Sequence, residues 1–290
     1  MMNEIVDVTG GKGGNSFLIL GKEKTALIDC GMAYCGDKLI SNIRQVLDTR
    51  VLDYIFISHS HYDHVGAIPY LKRTWPDSMV LGAEHAQRIL HRQNALHTIR
   101  ELARQAAQIY NAGILEEYDD ALLKVDHCIY DGDIMELGGS SITVIETQGH
   151  TKCSLSFLIS DGTLFPSETT GCMSKTGKIY PGFITSYSEA IASIHKCQAI
   201  NPRFIISPHF GLVSEDDRPG YWQNCLTAIE ETKEFILRLF KQGYNNEEIL
   251  IEYEKMFRDE QSRLEQPTNA FRLNAQGMIK TVLKEKVFSA

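Results

Sequence analysis

The sequence predicts an α/β protein that carries a helical extension at its C-terminal end. In the first half of the chain, short runs rich in β-branched and aromatic residues alternate with helical patterns. The part after Pro219 continues in helical patterns and lacks β-branched runs. Alternation of this kind is typical of sheets covered by helices, not of a helical bundle or a plain β-sandwich.

Several short segments are predicted as strands because each is rich in strand-forming residues and ends in turn-forming or polar residues. Others repeat apolar residues at helical spacing. The predicted strands are residues 15–20, 25–29, 53–57, 141–146, 154–159 and 203–206, and the predicted helices are residues 37–47, 68–75 and 186–200.

Two regions depart from this alternation. Between Glu84 and Asn111 apolar residues recur every three to four positions with one wider gap, which predicts a helical insert at about residues 84–125. In the tail, Gly243 is suited to end one helix and Asn245 to begin the next, and a further helix is expected after Pro267. We therefore expect two regions, residues 1–218 and 219–290, with the tail packed on the first region or forming a homodimer through its helices.

Charge and composition exclude several classes of partner. The formal net charge of -8 gives no electrostatic reason to expect binding to nucleic acid or to anionic lipid. No long apolar run and no leader-like start are present, so we expect no membrane partner and a cytoplasmic location. The seven cysteines are scattered without a C-x-x-C pair, which argues against a disulfide framework or a thiolate zinc site.

The segment that carries chemistry is Ser58-His59-Ser60-His61-Tyr62-Asp63-His64, directly after an apolar run. Because alternate residues of an extended chain point to the same side, His59 and His61 can reach one metal ion. A turn after His61 can then bring Asp63 and His64 to a second ion. Imidazole and carboxylate suit zinc, iron or manganese, at about 2.0 to 2.2 Å per ligand. A purely structural role for these four residues is poorly supported, because their polar side chains would then be crowded together without a bound ion to compensate them.

This H-x-H-x-D-H motif at a strand end resembles the hallmark of the metallo-β-lactamase superfamily. Residues 15–19 with 26–29 resemble the opening hairpin of that family, and Gly149-His150-Thr151 is similar to its G-H-T motif. Further along, Glu168 falls where the family has a bridging acid, and His209 where it has its last histidine. The resemblance covers residues from about 15 to 211, and it implies a four-layer αββα sandwich with a C-terminal helical extension.

The resemblance also implies two divalent metal ions, zinc or iron, with manganese as a further option. It assigns three ligands to each ion: His59, His61 and His150 to the first, and Asp63, His64 and His209 to the second. An acid at position 168 would lie between the ions. The family usually has aspartate there, whereas Glu168 is one methylene longer, about 1.5 Å of C–C bond. Whether Glu168 bridges both ions or binds one is left open.

The implied activity is hydrolysis of an ester, thioester, lactone or phosphodiester bond in a small-molecule substrate. A hydroxide shared by the two ions would be the nucleophile, and Asp63 would orient it and pass its proton to the leaving group. Asp29, Ser58 and Ser60 are candidates for holding the outer N–H groups of the ligating histidines.

Two other functions stay open. One is a di-iron redox or oxygen-binding protein of the same fold, although such members typically carry glutamate where His61 stands, together with a flavin domain for which this chain has no room. The other is a regulator that binds metal without turnover. Tyr180 and Tyr187 either line a pocket or pack in the core. The remaining histidines lack partners at ligand spacing and are expected to be structural or surface residues: His85, His91, His97, His127 and His195.

Overall fold

The structure is a computed structural model that describes residues 4–285. Within this range the chain folds into two compact units. Unit 1 contains residues 4–146 and 155–164, and unit 2 contains residues 147–154 and 165–285. The sequence-based boundary between residues 218 and 219 stays a prediction. Residues 1–3 and 286–290 of the two predicted regions lie outside the described residues.

Unit 1 is built on a sheet whose six strands follow one another in chain order. The first three, β1 (Glu4–Asp7), β2 (Phe17–Leu20) and β3 (Thr25–Ile28), are antiparallel, and β4 (Tyr54–Phe56), β5 (Met79–Gly82) and β6 (His127–Cys128) continue in parallel from β3. All four positions of β3 are buried, as expected for a strand with both faces covered. Since β3 and β4 are parallel, their carboxyl ends lie side by side, next to Asp29 and Ser58.

Helices connect the parallel strands. These are α1 (Gly36–Leu47) after β3, α2 (Tyr62–Val65) and α3 (Ile68–Thr74) after β4, and α4 (Glu84–Leu90) and α5 (Gln93–Ile109) after β5. Helix α1 buries Leu39, Ile43 and Leu47 at helical spacing. Helix α5, in the predicted insert, contacts the short helix α2 that carries Asp63 and His64.

The remaining strands of unit 1 form an antiparallel ladder. They are β7 (Ile134–Glu136), β8 (Ser141–Glu146) and β9 (Leu155–Ile159), and the unit ends within β10 (Thr163–Phe165). Phe157 of β9 packs edge-on against Phe56 of β4, with ring centroids 5.4 Å apart. The Leu155 N–H donates to the Ser58 carbonyl at 2.8 Å. This hydrogen bond fixes the start of the segment that carries the histidines.

Unit 2 combines two short hairpins with long helices. The hairpins are β11 (Cys172–Met173) with β12 (Ile179–Tyr180), and β13 (Phe204–Ser207) with β14 (Gly211–Leu212). The helices are α6 (Tyr187–Ile200), α7 (Tyr221–Lys241), α8 (Asn246–Phe257), α9 (Glu260–Glu265) and α10 (Thr268–Lys284). Helices α7, α8 and α10 contact one another in pairs, and α6 contacts a 3₁₀ turn at Glu168–Thr170.

The predicted class is confirmed. Unit 1 contains a six-stranded mixed sheet and an antiparallel ladder, unit 2 contains two short hairpins, and the C-terminal region is helical. Each predicted strand and helix is present, with its ends shifted by at most two residues. None of the helices within residues 4–285 combines the length and apolar character needed to cross a bilayer.

The start of α8 gives a test of local stability. The Asn245 side chain accepts hydrogen bonds from the N–H groups of Glu247 and Glu248, and the Glu248 carboxylate accepts from the Asn245 N–H. We expect Asn245→Ala to lower the free energy of unfolding by about 1 kcal/mol, because such a cap satisfies otherwise unpaired donors. Urea unfolding measures the change, with Asn246→Ala as the control one position inside the helix. Equal losses in the two variants would contradict the capping role.

Candidate metal centre

The first group of ligand-type side chains lies in unit 1, between the end of β4 and the first turn of α2. His59 and His61 lie in the segment after the strand, and Asp63 and His64 lie in α2. Potential ligand atoms of His59 and His61 are within 4.8 Å of each other, as are those of Asp63 and His64. The ring centroid of His59 is 4.5 Å from that of His61 and 4.1 Å from that of His64. The four side chains that the sequence singled out here are therefore close together.

Asp29, directly after β3, holds this group. Its φ of 55° is left-handed, which non-glycine residues rarely adopt but aspartate tolerates. Its carboxylate accepts the Ser58 N–H at 2.7 Å and the Ser58 hydroxyl at 2.7 Å, and it lies 2.8 Å from His64 Nδ1. The left-handed turn thus aims a buried carboxylate at the end of the neighbouring strand.

These contacts define the tautomers of two histidines. Asp29 is an acceptor, so a neutral His64 carries its proton on Nδ1 and presents a lone pair at Nε2. Ser58 donates its proton to Asp29, so its oxygen accepts from His59 Nδ1, 3.0 Å away. His59 therefore also presents a lone pair at Nε2. An outer acceptor that fixes the ring in this way is typical of metal-binding histidines.

The second group lies in unit 2 and contains His150, Glu168 and His209. His150 follows β8, and Glu168 starts the 3₁₀ turn. His209 lies in the tight turn between β13 and β14 with a left-handed φ of 64°. Glu168 Oε1 is 2.9 Å from His209 Nε2, and Glu168 Oε2 is 3.3 Å from His150 Nε2. One carboxylate oxygen therefore faces each histidine.

This spacing fits ligands that share metal ions. Two donor atoms bound to one ion at about 2.0 to 2.2 Å lie about 2.8 to 3.6 Å apart for octahedral to tetrahedral angles. Both Glu168 contacts fall in that interval. The longer side chain of glutamate thus reaches toward two histidines at once, and whether it bridges two ions stays a prediction.

Gly182, which the sequence did not single out, positions His150. Its carbonyl oxygen lies 2.6 Å from His150 Nδ1, so this ring presents its lone pair at Nε2 as well. A Cβ at this position would lie 2.7 Å from the Glu168 carbonyl oxygen and 3.0 Å from His150 Nδ1. Thr169 adds a second restraint, because its hydroxyl accepts the His150 N–H at 3.0 Å. A backbone contact of this kind leaves no side-chain signal in a sequence.

Two further residues, Ser60 and Cys30, lie next in the sequence to residues of the first group or to Asp29, which holds that group. Ser60 is buried in the same segment as Ser58, and its contribution to the site stays a prediction. Cys30 follows Asp29 in the chain, and burial first, then the Asp29 charge, raise the pKa of its thiol well above the usual range. The thiol is therefore protonated beside the first group. The combination of both groups into one centre stays a prediction that the proposal below takes up.

The fold and these two groups of side chains define an α/β protein with residues positioned to bind metal ions. The sequence model of the Metallo-beta-lactamase superfamily matches residues 9–233, so the chain belongs to this superfamily.

Relatives within the superfamily differ in their named activities. Metallo-beta-lactamase fold-containing protein ST1585 of Sulfurisphaera tokodaii is 25% identical over 220 residues, 74% of this chain and 79% of that protein. Hydroxyacylglutathione hydrolase of Aliivibrio salmonicida is 27% identical over 135 residues, 46% of this chain and 38% of that enzyme. Nitric oxide reductase of Moorella thermoacetica is 36% identical over 72 residues, 25% of this chain and 18% of that enzyme. The chain thus matches less than two thirds of the length of either enzyme.

A solved structure shows the same fold over nearly the full length. The crystal structure of ST1585 from Sulfolobus tokodaii matches with a TM-score of 0.62 at 19% sequence identity, and covers 98% of this chain and 100% of that chain.

The role of Asp29 gives a prediction for metal affinity. Asn at this position keeps the shape and tolerates the left-handed backbone, but it offers one acceptor oxygen in place of two. We expect Asp29→Asn to weaken zinc or manganese binding by about 10- to 100-fold, the usual effect of losing a partner that orients a ligand. Competition with a chromogenic chelator measures this affinity. Asp37→Asn, on an exposed position of α1, is the control. An equal loss of metal affinity in both variants would contradict the role of Asp29 in orienting the ligands.

The close approach at Gly182 gives a second prediction. We expect Gly182→Ala to weaken metal binding about tenfold or more, because the new methyl group must displace either His150 or the Glu168 backbone. Gly220→Ala is the matched control, since the nearest side-chain atom that a Cβ there would meet, Asn224 Nδ2, is 3.6 Å away. Unchanged affinity in Gly182→Ala would show that the contact does not position His150.

Proposed function

We propose that the protein is a metal-dependent hydrolase with a dinuclear centre. In this proposal His59, His61 and His150 bind one ion, Asp63, His64 and His209 bind the other, and Glu168 bridges them. The observation that carries it is the Glu168 carboxylate, whose two oxygens face two different histidines at 2.9 Å and 3.3 Å. Membership of the superfamily and the hydrolase among its relatives support the same reaction class.

Bound divalent ions would supply Lewis acidity, which makes water nucleophilic near neutral pH and polarises the bond to be cleaved. The chain's own residues orient the ligands and handle the proton. Asp29, Ser58 and the Gly182 carbonyl hold three imidazoles in the tautomer with the lone pair on Nε2. Asp63, with Oδ2 3.9 Å from His64 Nε2, is the carboxylate assigned to accept a proton from water and pass it to the leaving group.

The proposed bonds are those of small esters, thioesters, lactones or phosphodiesters, with zinc or iron as the metal and manganese as an option. A polynucleotide substrate is disfavoured by the net charge of -8. We also propose that a homodimer forms through the C-terminal helices, because Phe240, Met256 and Leu273 are exposed there. Light scattering of the purified protein tests the dimer.

A redox function is the second candidate, because one matched region is 36% identical to nitric oxide reductase. The chain carries His61 where redox members of the family typically carry glutamate, which favours hydrolysis. Metal analysis with a visible spectrum separates the two: an iron-loaded protein whose colour bleaches on reduction and that cleaves no ester would favour the redox function.

The decisive test is a screen of the zinc-, iron- and manganese-loaded protein against chromogenic esters, thioesters, lactones and phosphodiesters. We expect activity that chelation removes and metal restores. His61→Ala should lower kcat/KM by more than about 100-fold, since loss of a ligand costs more than loss of a partner that orients one. His97→Ala, on the exposed face of α5, is the matched control. Full activity in His61→Ala, or in chelated protein, would refute the proposal.

A further inference from the structure

Unit 2 contains a cavity that reaches its proposed metal ligands. Glu168 and His209 line one part of it, and residues of the β11–β12 hairpin, the β13–β14 turn, α8, α9 and α10 line the rest. Its volume is about 80 Å³, several times the roughly 10–15 Å³ that one water requires on the same measure. The cavity therefore has room for a ring or a short chain, and its position next to two ligands makes it a site for part of the substrate.

Five aromatic side chains contribute to the wall of the cavity. Tyr180 stacks on Phe210 with ring centroids 5.9 Å apart. Tyr253 stacks on Phe257 at 4.6 Å and on Phe271 at 5.9 Å. Met278 and Ile179 add aliphatic surface. Walls of this kind favour apolar groups, because aromatic and thioether side chains offer large contact areas and few hydrogen bonds.

The charges at the cavity do not favour an anion. Among the described residues that line it, Lys178 is the single lysine or arginine, and its ammonium forms an ion pair with Asp259 at 2.6 Å. Burial alone would raise the pKa of Asp259, but hydrogen bonds from Lys178, the Ser262 N–H and Tyr180 outweigh burial and lower it to about 2. Glu265 adds a carboxylate to the lining. Apart from the proposed metal ions, a carboxylate or phosphate on the ligand would therefore lack a cation to pair with.

Tyr180 also stays uncharged. Its hydroxyl donates to Asp259 at 2.7 Å, and burial first, then the Asp259 carboxylate, raise its pKa well above the usual range. The sequence left Tyr180 open between a pocket and the core, and the structure places it in the cavity wall.

We propose that this cavity binds the acyl group of the substrate, and that this acyl group is uncharged and either aromatic or aliphatic. The inference rests on the proposed hydrolase function and narrows it to hydrophobic esters, thioesters and lactones. The acyl group lies along the rings of Tyr180, Tyr253 and Phe271, next to the ligands Glu168 and His209.

Direct binding tests this without metal or turnover. Hexanamide and phenylacetamide stand in for hydrophobic acyl groups, acetamide for a small one, and succinamate for an anionic one. Isothermal titration of the metal-free protein should show both hydrophobic amides binding at least about 30-fold more tightly than acetamide, because each buried methylene contributes about fourfold. Succinamate should bind no better than acetamide.

Asn274 is the position to vary, because it lines the cavity and is only half-buried. Asn274→Phe should fill the cavity and weaken hexanamide binding at least tenfold. Lys280→Phe introduces the same ring on an exposed position of the same helix, outside the cavity lining, and should leave binding unchanged. If the Asn274→Phe variant does not fold, Asn274→Asp takes its place. It keeps the side-chain shape, adds a charge and should also weaken hexanamide binding at least tenfold.

The outcomes separate the two proposals. Binding of hexanamide without hydrolysis of any hydrophobic thioester or ester would refute the hydrolase function and keep the cavity assignment. Hydrolysis that treats hexanoyl and acetyl thioesters alike would refute the cavity assignment and keep the hydrolase. The cavity assignment also fails if hexanamide does not bind, if succinamate binds as tightly, or if the Asn274 variants bind like the unmodified protein.

Discussion

The arrangement of the first group of ligands depends on the carboxylate of Asp29. This carboxylate accepts hydrogen bonds from the N–H and the hydroxyl of Ser58, and it faces Nδ1 of His64. All three residues are buried. A buried carboxylate is stable only with such donors, and an acceptor at Nδ1 favours the imidazole tautomer that presents its lone pair at Nε2. The left-handed backbone of Asp29 follows from this constraint, because the chain must turn at once after β3 for the carboxylate to reach the end of β4.

Unit 2 satisfies the same constraint with a backbone group. The Gly182 carbonyl faces Nδ1 of His150, and the Thr169 hydroxyl accepts the His150 N–H while it donates to the Thr147 carbonyl. Residues that bind no metal therefore fix the rings that would. Since His150, Thr169 and Thr147 are buried, loss of one hydrogen-bonding group leaves another unsatisfied, and the arrangement behaves as a unit.

Prediction from sequence worked best where the determining contacts are local. The cluster from His59 to His64 follows one apolar run, so alternation along an extended chain was enough to group its members. His150, Glu168 and His209 are far apart in the sequence, and only the resemblance to a family selected them. Strand β5 (Met79–Gly82) was missed because its four residues carry no distinct periodicity and depend on pairing with β4.

Gly182 and the cavity were beyond the sequence for a different reason. Gly182 acts through a carbonyl and through the absence of a Cβ, and neither leaves a pattern. Aromatic residues of a cavity wall look like core residues in a sequence, because both are apolar and both recur on one face of a helix. Only the packing of α8 against α10 distinguishes the two cases here.

That packing also ties ligand preference to stability. The rings of Tyr253 and Phe271 stack to hold α8 and α10 together, and the same rings form the cavity wall. Truncating either ring would remove substantial buried aromatic packing along with cavity surface. Asn274 is only half-buried, so its substitution removes less packing. The helical extension belongs to the same compact unit as Glu168 and His209 and lines the same cavity. Changes in its half-buried positions therefore alter the cavity at a smaller cost in stability than changes in its aromatic ones.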